Sequence, residues 1–132
     1  MGLRPTEKKV DGSVVAQFAS TMLNAVTIAH MLHFQSTSYA EHMALGSFYD
    51  DLSGLIDDFV EQYQGEYEVL ISGYSTSFKL PEDPLTWLNG LCDYIERVRR
   101  GDNFPQYSPL QNKVDEIAEL VDQTRYKLRF LS

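Results

Sequence analysis

A chain of 132 residues is long enough for one domain around a single core and too short for two. Its 43% apolar content, with seven Phe and eight Tyr, supplies a packed interior, and 23% charged residues with that apolar share exclude a disordered chain. The formal charge of −8 repels nucleic-acid phosphates and anionic lipid headgroups, so neither direct DNA binding nor membrane binding is expected.

Arg4, Lys8 and Lys9 make only a thin basic N-terminus. Residues 11–34 follow with Val14, Val15, Phe18, Met22, Val26 and Ala29 at helical spacing. After a break rich in Ser and Thr, residues 38–64 carry Leu45, Tyr49, Leu52, Ile56, Phe59 and Tyr63, a second stripe that stops near Gly65. Residues 66–82 are ambiguous: Tyr67 to Ile71 can prolong the helix, whereas Gly73 to Pro81 reads as a connection. The third helix, 84–100, opens on Asp83 as N-cap with Pro84 in the first position. Leu85, Leu88, Leu91, Cys92, Ile95 and Val98 keep its register until Gly101. The fourth, 109–131, repeats the device with Ser108 and Pro109, then Leu110, Val114, Ile117, Val121, Leu128 and Leu131. No segment sustains period-two alternation, so the expected fold is all-α, one antiparallel four-helix bundle spanning 1–132.

Cys92 is the single cysteine, which excludes an intrachain disulfide framework and fits a reducing compartment; its apolar neighbours suggest a small buried hydrophobe. No run of about 20 apolar residues and no signal-like stretch is present, so a soluble, cytoplasmic protein is expected. Arg97, Arg99 and Arg100 form the one compact basic cluster, read as charge complementing a helix C-terminus. Asp115, Glu116, Glu119 and Asp122 have a solvated face as their default reading, with a cavity or pore lining left open.

The chemistry centres on His30, His33 and His42 and on the second helix. With His42 set at 0° on an ideal helix, the apolar stripe centres at roughly 290°, while Ser53, Gly46, Asp57, Asp50, Glu61 and Gly54 span about 20° to 120°. Each mid-helix glycine costs about 1 kcal/mol against alanine. Gly46 and Ser53 would allow another helix to approach closely, so this second face reads as a subunit contact rather than a solvated surface. His42 and Asp57 lie about 22 Å apart along one helix and cannot share an ion within a chain. If the helix packs antiparallel against a two-fold mate, with the axis near Asp50, His42 of one chain meets Asp57 and Glu61 of the other. His33 closes the first helix and can join His42, giving two equivalent sites of two imidazoles and two carboxylates. Such ligation suits ferrous iron, with zinc or manganese as competitors. His30 shares the face of His33, as an auxiliary ligand or a packing residue. No Glu-x-x-His occurs, which argues against a di-iron centre buried in one bundle. Tyr39, Tyr49 and Tyr63 are read as packing residues.

The stretch His33-Phe34, then His42, then Asp57 and Glu61 fifteen and nineteen residues after it, resembles the ferroxidase signature of Dps-like miniferritins. The tail from Asn112 to Leu131 is similar to that family's last helix, and the chain looks like shortened members from tailed phages. The His33–His42 interval is three residues tighter than in the family, so a shorter turn is expected. The resemblance implies a ferritin-like bundle in a hollow oligomer, dodecameric in the family. It implies oxidation of ferrous iron by hydrogen peroxide or oxygen and storage of the ferric product, with His33, His42, Asp57 and Glu61 as catalytic iron ligands. The alternative is a non-enzymatic helical assembly protein that keeps the bundle without the chemistry.

Overall fold

The computed structural model describes residues 10–132; Arg4, Lys8 and Lys9 lie outside the described residues. Four helices follow in order: α1 Gly12–Gln35, α2 Tyr39–Tyr67, α3 Pro84–Arg99 and α4 Ser108–Phe130. No strand occurs among the described residues, and the fold is all-α.

Local chemistry sets the helix ends. The Asp11 carboxylate accepts the Ser13 N–H at 2.9 Å and opens α1, and the Ser38 hydroxyl accepts the Glu41 N–H at 3.2 Å and opens α2. α2 does not stop at Gly65. It runs through Tyr67 and ends on Glu68, which takes the left-handed conformation at φ 54° and returns its N–H to the Gln64 carbonyl. Asp83 caps α3 as expected, accepting both the N–H and the hydroxyl of Thr86. Ser108 does not cap α4: it already lies inside the helix, Tyr107 precedes it, and no side chain caps that end.

The tight turn between α1 and α2 makes them antiparallel. Residues 68–83 then form a long connection without helix that climbs back along α1. The Ser75 N–H donates to Ser20 Oγ at 2.8 Å, and the Ser75 carbonyl accepts from Asn24 at 3.1 Å, both halfway up α1. α3 therefore starts beside the beginning of α2, where the Trp87 ring meets Phe48 edge-on at 6.1 Å, and runs parallel to α2. α4 returns antiparallel. Arg125, near its end, bonds Asn89 near the start of α3, and Lys113, near its beginning, reaches Asp58 in the later half of α2. The Asp11 N–H closes the lower end on the Asn103 carbonyl at 2.9 Å. The chain thus goes up, down, down and up, with one crossover along the bundle.

The core is predominantly apolar: Phe18, Met22, Leu45, Leu52, Ile56, Phe59, Leu88, Ile95, Leu110 and Ile117 are fully buried. Most stripes run where the sequence puts them, but not at every position. Phe48 rather than Tyr49 enters the core of α2, Phe104 enters it from the α3–α4 loop, and Leu131 is exposed beyond the end of α4. By length and composition α1 could cross a membrane, its best 18-residue window having a mean hydropathy of 1.2. Half of that window is buried in the bundle, which accounts for its apolar character.

Arg99 does more than complement a helix end. Its guanidinium, with a side chain only 14% exposed, donates to the Gln111 side chain and carbonyl and to Asp115, pinning the α3–α4 corner. Asp122 pairs with Arg125 and Glu116 with Lys113, and Asp115, Glu116, Glu119 and Asp122 are all exposed on the single chain.

Candidate functional site: an imidazole pair at the α1–α2 hairpin

His33 in the last turn of α1 and His42 in the first turn of α2 face each other across the three-residue turn. Their rings stack at 3.5 Å between centroids and 18° between planes. Each ring is bonded to the backbone that carries the other. His33 Nδ1 lies 2.6 Å from the His42 carbonyl, and His42 Nδ1 lies 2.8 Å from the His33 carbonyl. A carbonyl oxygen only accepts, so both Nδ1 atoms carry the proton. In the neutral rings each lone pair is then on Nε2, and among the described residues neither Nε2 has a hydrogen-bond partner. A backbone carbonyl on one ring nitrogen is the usual device that fixes tautomer and orientation when the other nitrogen binds a metal.

Aromatic rings surround the pair. Tyr49 meets His33 edge-on at 5.4 Å and stacks on His30 at 4.1 Å, and Phe34 stacks on His30 at 4.8 Å. His30 is thus engaged with Tyr49 and Phe34 while remaining exposed. Beneath His33 lies Gly46: a β-carbon there would stand 3.1 Å from His33 Cε1 and 3.2 Å from Nδ1. Gly46 therefore accommodates a ring of its own chain. Gly54, by contrast, has nothing within 4 Å of a β-carbon and borders a shallow groove with Asp51, Asp58, Glu116 and Glu119.

Asp57 and Glu61 are exposed and stand further along α2, not beside the imidazoles. Among the described residues no three or more His, Cys, Asp or Glu side chains of one chain could hold a metal together. Of the four expected ligands the fold joins two, His33 and His42. The other two occupy the same outward side of α2, with the exposed Asp50 and Ser53 between. The reciprocal carbonyl bonds had no signal in the sequence, because any residue supplies a carbonyl.

Cys92 is half-buried. Its Sγ accepts from Arg125 at 3.3 Å, and burial pushes the thiol above its ordinary value despite the nearby guanidinium, as suits a packing residue.

The connectivity and the imidazole pair define a class, an all-α four-helix protein with one crossover and a histidine clasp on its first hairpin. Residues 33–128 match the model of a family of unknown function (DUF5856), and the chain belongs to that family. It is also 28% identical over 117 residues to the "Uncharacterized 14.6 kDa protein in mobD-ri intergenic region" of Enterobacteria phage T4, with 85% of each chain covered. No solved structure matches. These matches overturn the miniferritin resemblance: the chain falls in a different family, and no ferritin-like family matches it. The spacing from His42 to Asp57 and Glu61 rests on a few positions of one helix. A signature that short recurs without common descent.

Proposed function

We propose that two copies of the chain, related by a two-fold axis near Asp50, bind ferrous iron. His33 and His42 of one copy and Asp57 and Glu61 of the other form each site. The observation that carries this reading is the reciprocal clasp, which holds both imidazoles in the tautomer that offers Nε2 to a cation. Mixed imidazole and carboxylate donors suit ferrous iron, and equally accept zinc or manganese. The reaction proposed is one-electron oxidation of each ferrous ion by hydrogen peroxide or oxygen, followed by sequestration of the ferric product. A four-helix bundle with a single long crossover is the connectivity of ferritin-like folds, which supports assigning the bundle to that architecture on topology rather than on family membership. The phage source of the T4 relative supports a working place in the cytoplasm of an infected cell.

The test is an anaerobic ferrous titration of metal-free protein, followed by addition of peroxide. Saturation at two ions per pair of chains, lost in His42→Ala, is expected. Oxidation no faster than the buffer alone, with no saturable binding, would leave the histidines as a hairpin clasp. The protein would then be an assembly protein. The exposed Met31, Phe34, Tyr39 and Met43 beside the clasp favour that second reading.

A further inference from the structure

We infer that Gly46 is a positioning residue for the imidazole pair, and that the absence of a side chain there sets where His33 presents Nε2. The inference rests on the metal-binding reading above for its functional consequence and on the geometry alone for its structural one. His33 is held on several sides. The His42 ring stacks on it at 3.5 Å, and Tyr49 closes on it edge-on at 5.4 Å. The His42 carbonyl fixes its Nδ1 at 2.6 Å, and the α2 backbone at Gly46 forms the floor. A β-carbon at 46 would come within 3.1 Å of Cε1 and 3.2 Å of Nδ1, closer than nine in ten β-carbon contacts. The atoms approached are the ring's own, not the free end of a flexible chain. The ring must give by a few tenths of an ångström, and because Nδ1 is one of the two atoms approached, that motion alters the Nδ1–carbonyl bond on which the tautomer depends. Glycine is a poor helix former, and it stands here inside a 29-residue helix. The space it leaves is occupied by one ring, and that ring bears an expected ligand atom.

Gly54 supplies the control, being in the same helix with open space where its β-carbon would stand. Gly46→Ala and Gly54→Ala improve helix propensity equally, so propensity alone predicts the same modest gain in stability for each. Two readouts separate them in the full-length protein. One is the ring-nitrogen NMR spectrum, which reports the tautomer of each histidine without metal. The other is the ferrous dissociation constant measured anaerobically. Wild type and Gly54→Ala are expected to show His33 protonated on Nδ1. Gly46→Ala is expected to show a mixed tautomer at His33 and affinity weakened by about 10- to 100-fold, the range for losing a ligand's supporting bond. A wild-type His33 protonated on Nε2, or a Gly46→Ala spectrum and affinity equal to those of Gly54→Ala, would overturn the inference. If wild-type protein binds no ferrous iron, the metal reading fails, while the tautomer comparison still decides whether Gly46 positions the ring.

Discussion

Phe59 shows how a single side chain ties the bundle together. Its ring lies 5.1 Å from Phe18 of α1 and 5.9 Å from Phe104 of the α3–α4 loop, so one residue of α2 joins three parts of the chain. Phe59→Ala is expected to cost about 3–5 kcal/mol, because neighbours from separate elements cannot collapse together into the void. Equilibrium urea unfolding measures this; a loss under 1 kcal/mol would mean the cluster repacks freely. Phe59 was readable from helical spacing, as were Phe18 and Ile56. Phe104 was not, because a loop has no periodicity to betray a buried position. Thr124 was missed for a related reason: it is buried in α4 because its hydroxyl turns back to the Leu120 carbonyl at 2.9 Å, a satisfaction invisible in residue type. Gly46 was readable as a place where something approaches closely, but not that His33 of the same chain does so.

At the scale of elements, the signals that survived were those with a local mechanism. Asp83 followed by Pro84 marks the start of α3 because both act on the first turn alone. Hydrogen bonds from the Thr86 hydroxyl and then its N–H hold the Asp83 carboxyl below its ordinary value. A depressed folded-state pKa means stabilisation present in full above the unfolded value of about 3.9 and lost as pH falls through the folded value. Asp83→Ala is therefore expected to cost about 1 kcal/mol at pH 7, with the difference from wild type shrinking as pH falls below about 3.9. Paired denaturant curves at pH 7 and along a descending acid series test this, and a difference that does not diminish as pH falls would contradict it. The crossover left no comparable signature. It is held by isolated bonds, Ser75 to Ser20 and Asn24, and Ile71 to the Gln64 side chain, with partners up to 55 residues away in sequence. Helix ends shifted by up to three residues where stopping depends on geometry, as at Glu68, rather than on a glycine.

At the scale of the whole molecule, four helices and the all-α class were legible because each helix carries its own apolar stripe. The direction of each helix was not, since nothing local says that the segment after α2 runs the length of the bundle and makes α3 parallel to it. The candidate site divides in the same way. His33 and His42 sit at either side of a tight turn, so their meeting follows from the hairpin, whereas Asp57 and Glu61 can join them only through a second copy of the chain. That dependence is the central claim, and mixing two defective chains tests it most directly. One chain carries His33→Ala and His42→Ala with intact carboxylates; the other carries Asp57→Asn and Glu61→Gln with intact histidines. Each alone is expected to bind no ferrous iron at the site. Refolded together in equal amounts, half of the pairs are mixed and each holds one whole site, so about a quarter of the wild-type capacity should return. Recovery of that fraction is the predicted result. A mixture that binds no more iron than its separate components would contradict the shared site.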